Sequence, residues 1–202
     1  MESEEIILLV ALPAEAKPLI RAFGLQRQQP DGAFPCYSKD SICLILTGPG
    51  LRAAGDAVSF AMQRASTAPA FWINLGIAGH SQLAPGSCLL ADKIKHPSTG
   101  REWRLQPPAG LTELIMGSLR CVDQPETGYA EAAGYDMESA AIAEALSENG
   151  LLPRLQVVKI ISDNPLHPAR GISARMVGDL IQAQLPLIEG LIKHLQQHAQ
   201  AQ

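Results

Sequence analysis

The run Gln156-Val157-Val158-Lys159-Ile160-Ile161 constrains the fold more than any other stretch of this chain. β-Branched side chains favour extended backbone. A continuous run of them, without polar alternation, belongs to a strand covered on both faces, as in a parallel sheet between helices. The run ends in Ser162-Asp163-Asn164-Pro165, a turn signal. Asp163 therefore falls at the carboxyl end of a central strand, where α/β sheets carry their sites. A helix cap or an Asx-turn is the plainer use of the same residue.

The other segments supply strands and helices in alternation, which predicts an α/β fold. Glu5 to Leu12 is an apolar run of strand length. Pro13 suits the first turn of a following helix, which carries Glu15 at its start and turns Leu19, Ile20 and Phe23 inward. Pro18 keeps that helix short or kinks it. Ile42 to Thr47 reads as a second buried strand. Gly48-Pro49-Gly50 then opens a helix from Leu51 to about Arg64, whose first backbone N–H groups suit an anion. Arg52, the cation of that loop, reads as a solvated helix residue. Ala70 to Leu75 is a third strand. It leads into Gly76-Ile77-Ala78-Gly79-His80, small residues over which a ligand can approach the backbone. Pro85 to Asp92 is a turn and a further strand.

From Lys93 to Gly134 the chain is polar and proline-bearing. A helix over Leu111 to Leu119 and a short strand over Leu119 to Val122 are expected there. Trp103, Tyr129 and, just past its end, Tyr135 are the local aromatic residues, suited to packing or to stacking on a base. In Gly134-Tyr135-Asp136-Met137-Glu138-Ser139, Asp136 and Glu138 share a face of an extended segment. From Ser139 the period becomes helical, with Ala140, Ala143 and Leu146 inward. An acidic pair thus stands where a strand gives way to a helix, although acidic residues at a helix start also suit the macrodipole. His167, after the Asp163 turn, reads as a solvated loop histidine. Ser173 to His198 is helical again, with a break at Pro186. His194 and His198 have the spacing of a helical metal pair but no third ligand nearby, so no metal is expected.

Composition narrows the function classes. The chain has 202 residues, 47% hydrophobic and 18% charged, which fits one globular domain over 1–202 with a sizeable core. A net charge of −4 argues against a nucleic-acid surface. The acidic start Met1-Glu2-Ser3-Glu4-Glu5 does not suit the basic region of a signal peptide, and no apolar run has the length of a membrane span. Cys36, Cys43, Cys88 and Cys121 form no Cys-x-x-Cys pair and read as reduced thiols of a cytoplasmic protein.

Taken together, Asp136-Met137-Glu138-Ser139-Ala140-Ala141 and the strand ending in Ile161-Ser162-Asp163 resemble the nucleoside phosphorylase/nucleosidase superfamily, closest in pattern to the methylthioadenosine/S-adenosylhomocysteine nucleosidases. The match covers residues 5–92 and 134–195. The resemblance implies a three-layer α/β/α sandwich around a mixed sheet, a small-molecule nucleoside substrate, no cofactor, and a homo-oligomer. It assigns Asp163 to protonation of the leaving purine, Glu15 to activation of water, and Glu138 to the ribose hydroxyls. Met137 would pack on the ribose, and Asp136 would lie at the site edge. Gly48, Gly76, Ile77, Ala78 and Ser162 fall in its substrate-binding segments. Cleavage of an N-glycosidic bond passes through an oxocarbenium-like state, so an acid, a base and a negative group near the sugar are what the chemistry needs.

Two departures bear on the nucleophile. The phosphorylases carry a phosphate-binding arginine where this chain has Asn74, and Ile77 replaces a serine. A phosphate dianion needs positive charge and donors, so the sequence leans to water. The region 93–134 is shorter than in the family and lacks its usual base-binding part. The expected function is therefore hydrolysis of a 5′-modified adenosine, such as methylthioadenosine or S-adenosylhomocysteine. A phosphate-dependent phosphorylase and a catalytically weakened nucleoside-binding member are the alternatives.

Overall fold

The structure, a computed structural model, describes residues 4–28, 33–64, 70–126, 128–168 and 172–198. The first three residues of the acidic start, the end of the Gln-rich tail and the side chain of His198 fall outside them.

The first half follows the expected alternation. Strand β1 (Glu5–Val10) leads to helix α1 (Pro13–Ala22), and the short strands β2 (Gln26–Arg27) and β3 (Cys36–Lys39) precede β4 (Ile42–Leu46). Helix α2 (Leu51–Arg64) and β5 (Ala70–His80) come next. β1 lies parallel to both β4 and β5, and β3 turns back antiparallel on β4. Pro13 starts α1 with no backbone N–H to satisfy, and Pro18 is accommodated within the ten-residue helix.

The second half closes the sheet on itself. Strand β6 (Cys88–His96) forms a hairpin with β7 (Arg101–Arg104); β8 (Ile115–Cys121), β9 (Gly134–Asp136), α3 (Ser139–Glu148) and β10 (Leu155–Asp163) follow. β10 pairs parallel with β5 and antiparallel with β6. β6 pairs with β8, β8 with β9, and β9 with β5. The strands β5, β10, β6, β8 and β9 therefore complete a ring, beside which β1, β4, β3 and β2 extend as an open wing. Helices α4 (Ala174–Ala183) and α5 (Leu185–His198) end the fold, separated where Pro186 opens the second helix.

Helices cover both faces of this mixed sheet, as the α/β/α expectation requires. Ile7 and Leu9 of β1 pack with Ala54, Val58, Ile142 and Leu146 of α2 and α3. Ile6, Leu8 and Val10 face the other way, toward Leu19, Ile181, Ile188 and Leu191 on α1, α4 and α5. This is the period-2 geometry of a strand applied to an unbroken apolar run. No helix among the described residues is long and apolar enough to cross a membrane.

Three expectations need correction. The helix expected over Leu111 to Leu119 is absent; residues from Ile115 form β8. Gly117 is a poor helix residue, and here its missing Cβ lets Leu89 of β6 approach, since a Cβ would lie 2.9 Å from Leu89 Cδ1. The strand expected to stop at Asp92 runs on to His96, where it forms its hairpin with β7. The third strand continues through Gly76–Gly79 to His80, because β10 supplies parallel hydrogen bonds along that stretch.

Candidate active site

A cavity of about 230 Å³ opens where the carboxyl ends of β5 and β10 meet the starts of α1 and α3. Glu15, Asp136, Met137, Glu138, Ile77, Ala78, Ser162 and Asp163 all line it. Gly48 and Gly76 do not. Gly48 instead sets the turn before α2 with a φ of 79°, and its neighbour Pro49 reaches the cavity. Gly76 acts by what it lacks: a Cβ there would stand 2.8 Å from Glu15 Oε1. Arg52 is solvated and pairs with Asp56, and Trp103 is buried in β7 away from the cavity.

Glu15 and Glu138 are each fixed by backbone N–H groups. Glu15 sits in the first turn of α1, where an anion is favoured. Its Oε2 accepts from Leu12 N at 2.8 Å, and its Oε1 accepts from Ile77 N at 2.9 Å. Burial raises its pKa, against the opposing pull of those N–H donors and of Lys159. Glu138 lies just before α3, and its Oε1 accepts from Gly50 N at 2.8 Å, just before α2. The carboxylate thus lies at the positive ends of two helices. Burial is again the main cause that raises its pKa; Lys159 opposes and Asp136 adds to the rise.

Below them lies a charge that sequence reasoning did not single out. Lys159, 2% exposed on β10, stands beside Gly76 of β5 and reaches Asp136 Oδ2 at 2.8 Å. Burial alone would push its pKa down. Asp136, Glu138 and Glu15 outweigh that, so it lies above the ordinary lysine value. Asp136 is accordingly not an edge residue. Its side chain is wholly buried, pairs with Lys159, and accepts from Ser139 N at 3.0 Å and Ser139 Oγ at 2.6 Å, holding the first turn of α3. The signal available in the sequence was a lone lysine within a β-branched run, because a buried charge needs a partner.

Asp163 ends β10. Ser162 Oγ donates to its Oδ1 at 2.5 Å, and the hydroxyl of Tyr129 donates to its Oδ2. Tyr129 is buried, with a left-handed φ of 40°, a conformation that costs a non-glycine residue about 1–3 kcal/mol and that clusters at functional sites. The sequence pointed to its ring; the contact of its hydroxyl with Asp163 was not legible. The phenol lies over Gly79, where a Cβ would collide with the hydroxyl oxygen and come within 2.6 Å of the ring. Gly79→Ala is expected to displace Tyr129 and to lower unfolding free energy by about 1–3 kcal/mol. Urea unfolding of the variant would measure this, and an unchanged midpoint would mean that Tyr129 yields without cost.

Solved structures share the fold that frames this cavity. The structure superposes on a 5′-methylthioadenosine/S-adenosylhomocysteine nucleosidase from Helicobacter pylori with a TM-score of 0.77 at 14% identity, covering 96% of this chain and 100% of that one. The 5′-methylthioadenosine nucleosidase of Arabidopsis thaliana gives 0.78 at 17% identity, covering 96% of each chain.

The chain has the nucleosidase fold.

Futalosine hydrolase of Helicobacter pylori shares that fold, with a TM-score of 0.75 at 15% identity over 95% of this chain and 98% of that one. No family model matches the chain, and no curated protein matches it by sequence. Within the nucleosidase fold, the cavity of this chain is acidic. Glu15, Glu126, Asp136, Glu138 and Asp163 line it, and no lysine or arginine among the described residues does. Asn74 is not among the lining residues; it is buried, and its Nδ2 donates to Leu9 O at 3.3 Å.

Proposed function

We propose that this chain hydrolyses the N-glycosidic bond of a purine nucleoside, with a 5′-modified adenosine such as methylthioadenosine or S-adenosylhomocysteine as substrate. The observation that carries the reading is the cavity lined by carboxylates and by no cation among the described residues. Such a lining suits a sugar that becomes positive in the transition state, and it repels a phosphate dianion. Water is therefore the nucleophile in this reading. Leu12, Ile77, Val122, Met137 and Ile172 give the cavity apolar wall, which suits a thioether substituent at C5′.

The roles are those that the resemblance implies, and the shared cavity supports them. Glu138 accepts from the ribose hydroxyls, and Met137 packs on the sugar. Glu15 takes the proton of the attacking water, and burial makes it a stronger base than a solvated glutamate. Asp163 supplies the proton that the leaving purine needs. A cytoplasmic location, a single domain and a homo-oligomer go with this reading.

Base release from methylthioadenosine, S-adenosylhomocysteine, adenosine and inosine, each with and without phosphate, tests it. Release that is independent of phosphate is the expected result. Release only with phosphate would make the chain a phosphorylase. Binding without release would make it a nucleoside-binding member of the fold that has lost turnover.

A further inference from the structure

The hydroxyl of Tyr129 donates to Asp163, the residue that the hydrolytic reading sets against the leaving base. Both oxygens of Asp163 are already taken by protein hydroxyls, Oδ1 by Ser162 and Oδ2 by Tyr129. Tyr129 lines the cavity beside them. It is also seated firmly. Its ring centroid lies 5.1 Å from that of Tyr135, whose hydroxyl accepts from Glu131 N at 2.9 Å. The phenol occupies the space that the missing Cβ of Gly79 leaves open. A group packed this way is a wall of the site, and its hydroxyl covers one of the two Asp163 oxygens.

We propose that Tyr129 is a catalytic residue that passes the proton of Asp163 to the leaving base. The inference rests on the hydrolytic reading above. When Asp163 carries the proton, its O–H donates to Tyr129 Oη, and the hydroxyl hydrogen of Tyr129 is free to turn to a ring nitrogen of the purine. As the bond from C1′ to the base breaks, its electron pair passes into the purine. The ring nitrogen takes the Tyr129 proton, and Tyr129 takes the Asp163 proton. Water then bonds to C1′ and loses a proton to Glu15. Asp163 is left ionised and Glu15 protonated, and exchange with solvent restores both. Tyr129 receives a proton as it gives one, so it never stands as a phenolate, which burial and the Asp163 carboxylate disfavour.

The test is Tyr129→Phe, which keeps the ring and removes the hydroxyl, assayed on the nucleoside that the wild-type protein cleaves and on 4-nitrophenyl riboside. The second substrate has a leaving group that departs without a proton. Loss of the proton donor should lower nucleoside cleavage by about 100-fold or more and nitrophenyl riboside cleavage by less than about threefold. Equal losses on both substrates would reduce Tyr129 to a packing residue. Unchanged or faster nucleoside cleavage would mean that Asp163 reaches the base directly once the phenol is out of the way. A mutant cycle with Asp163→Asn gives a second reading that needs no artificial substrate. A relay requires the double variant to lose no more than the worse single variant, and losses that multiply would overturn it. A wild-type protein that cleaves no nucleoside would instead defeat the hydrolytic reading itself, an outcome seen before any variant is made.

Discussion

Replacing Lys159 with methionine is expected to lower the unfolding free energy by about 3–5 kcal/mol at neutral pH. The lysine is 2% exposed and pairs with Asp136, and Glu138 and Glu15 also hold its charge. Methionine fills similar space but leaves these buried carboxylates with no cation. Lys17, exposed on α1, is the control, and its methionine variant should stay within about 0.5 kcal/mol of the wild type. The loss should shrink in mild acid, where the carboxylates of the variant can protonate. In the wild type the sign is that of a base with a raised pKa. The contribution of Lys159 is complete below the ordinary lysine value and disappears as pH climbs through its higher native value. Urea unfolding at pH 5 and pH 8 checks the first point, and a series above the ordinary lysine value checks the second. A Lys159→Met variant within about 1 kcal/mol of the wild type at pH 8 would mean that the carboxylates already hold protons.

Glu15→Gln should reduce turnover by about 10²- to 10⁴-fold, the usual worth of a general base, with a smaller change in KM. The amide cannot take a proton from water. One of its ends is also an N–H₂ group facing Leu12 N or Ile77 N, which now donate to the carboxylate. The wild-type pH profile gives an independent check. A base works when ionised, so activity should rise with pH through the native pKa of Glu15, at higher pH than for an ordinary glutamate because burial raises that value. Stability runs the other way. A carboxyl with a raised native pKa contributes fully below its unfolded value and loses that contribution as pH rises through the native one. The proton that has to leave in the proposed reaction is thus one that the fold prefers to keep. An acid limb at the ordinary glutamate position would remove Glu15 from the role of base.

What could be read from the sequence followed its local chemistry. The unbroken apolar runs of β1 and β10, the proline at the start of α1 and the glycine turn before α2 are local signals, and the structure contains all of them. Glu15, Glu138 and Asp163 were legible as candidates because each stands at the end of a strand or the start of a helix, and the fold brings them to one cavity. β8 was not legible. Ile115 to Cys121 has no strand alternation of its own and is extended because β6 and β9 pair with it. The roles of Lys159 and Tyr129 were hidden for a similar reason. Each depends on a partner brought in by the fold, Asp136 for one and Asp163 for the other.

The ring of strands has a mechanical consequence. β5 and β10 are hydrogen-bonded to each other, and the circuit through β6, β8 and β9 returns to β5. A closed circuit of strands has no seam along which two halves can swing apart. Glu15 and Glu138 are tied to backbone amides next to this ring and the α2 turn. Glu15 and Glu138 are therefore clamped relative to one another, while Pro125 and Ile172, which also line the cavity, lie outside the strands and helices. In such a molecule the spacing of the acidic groups belongs to the frame.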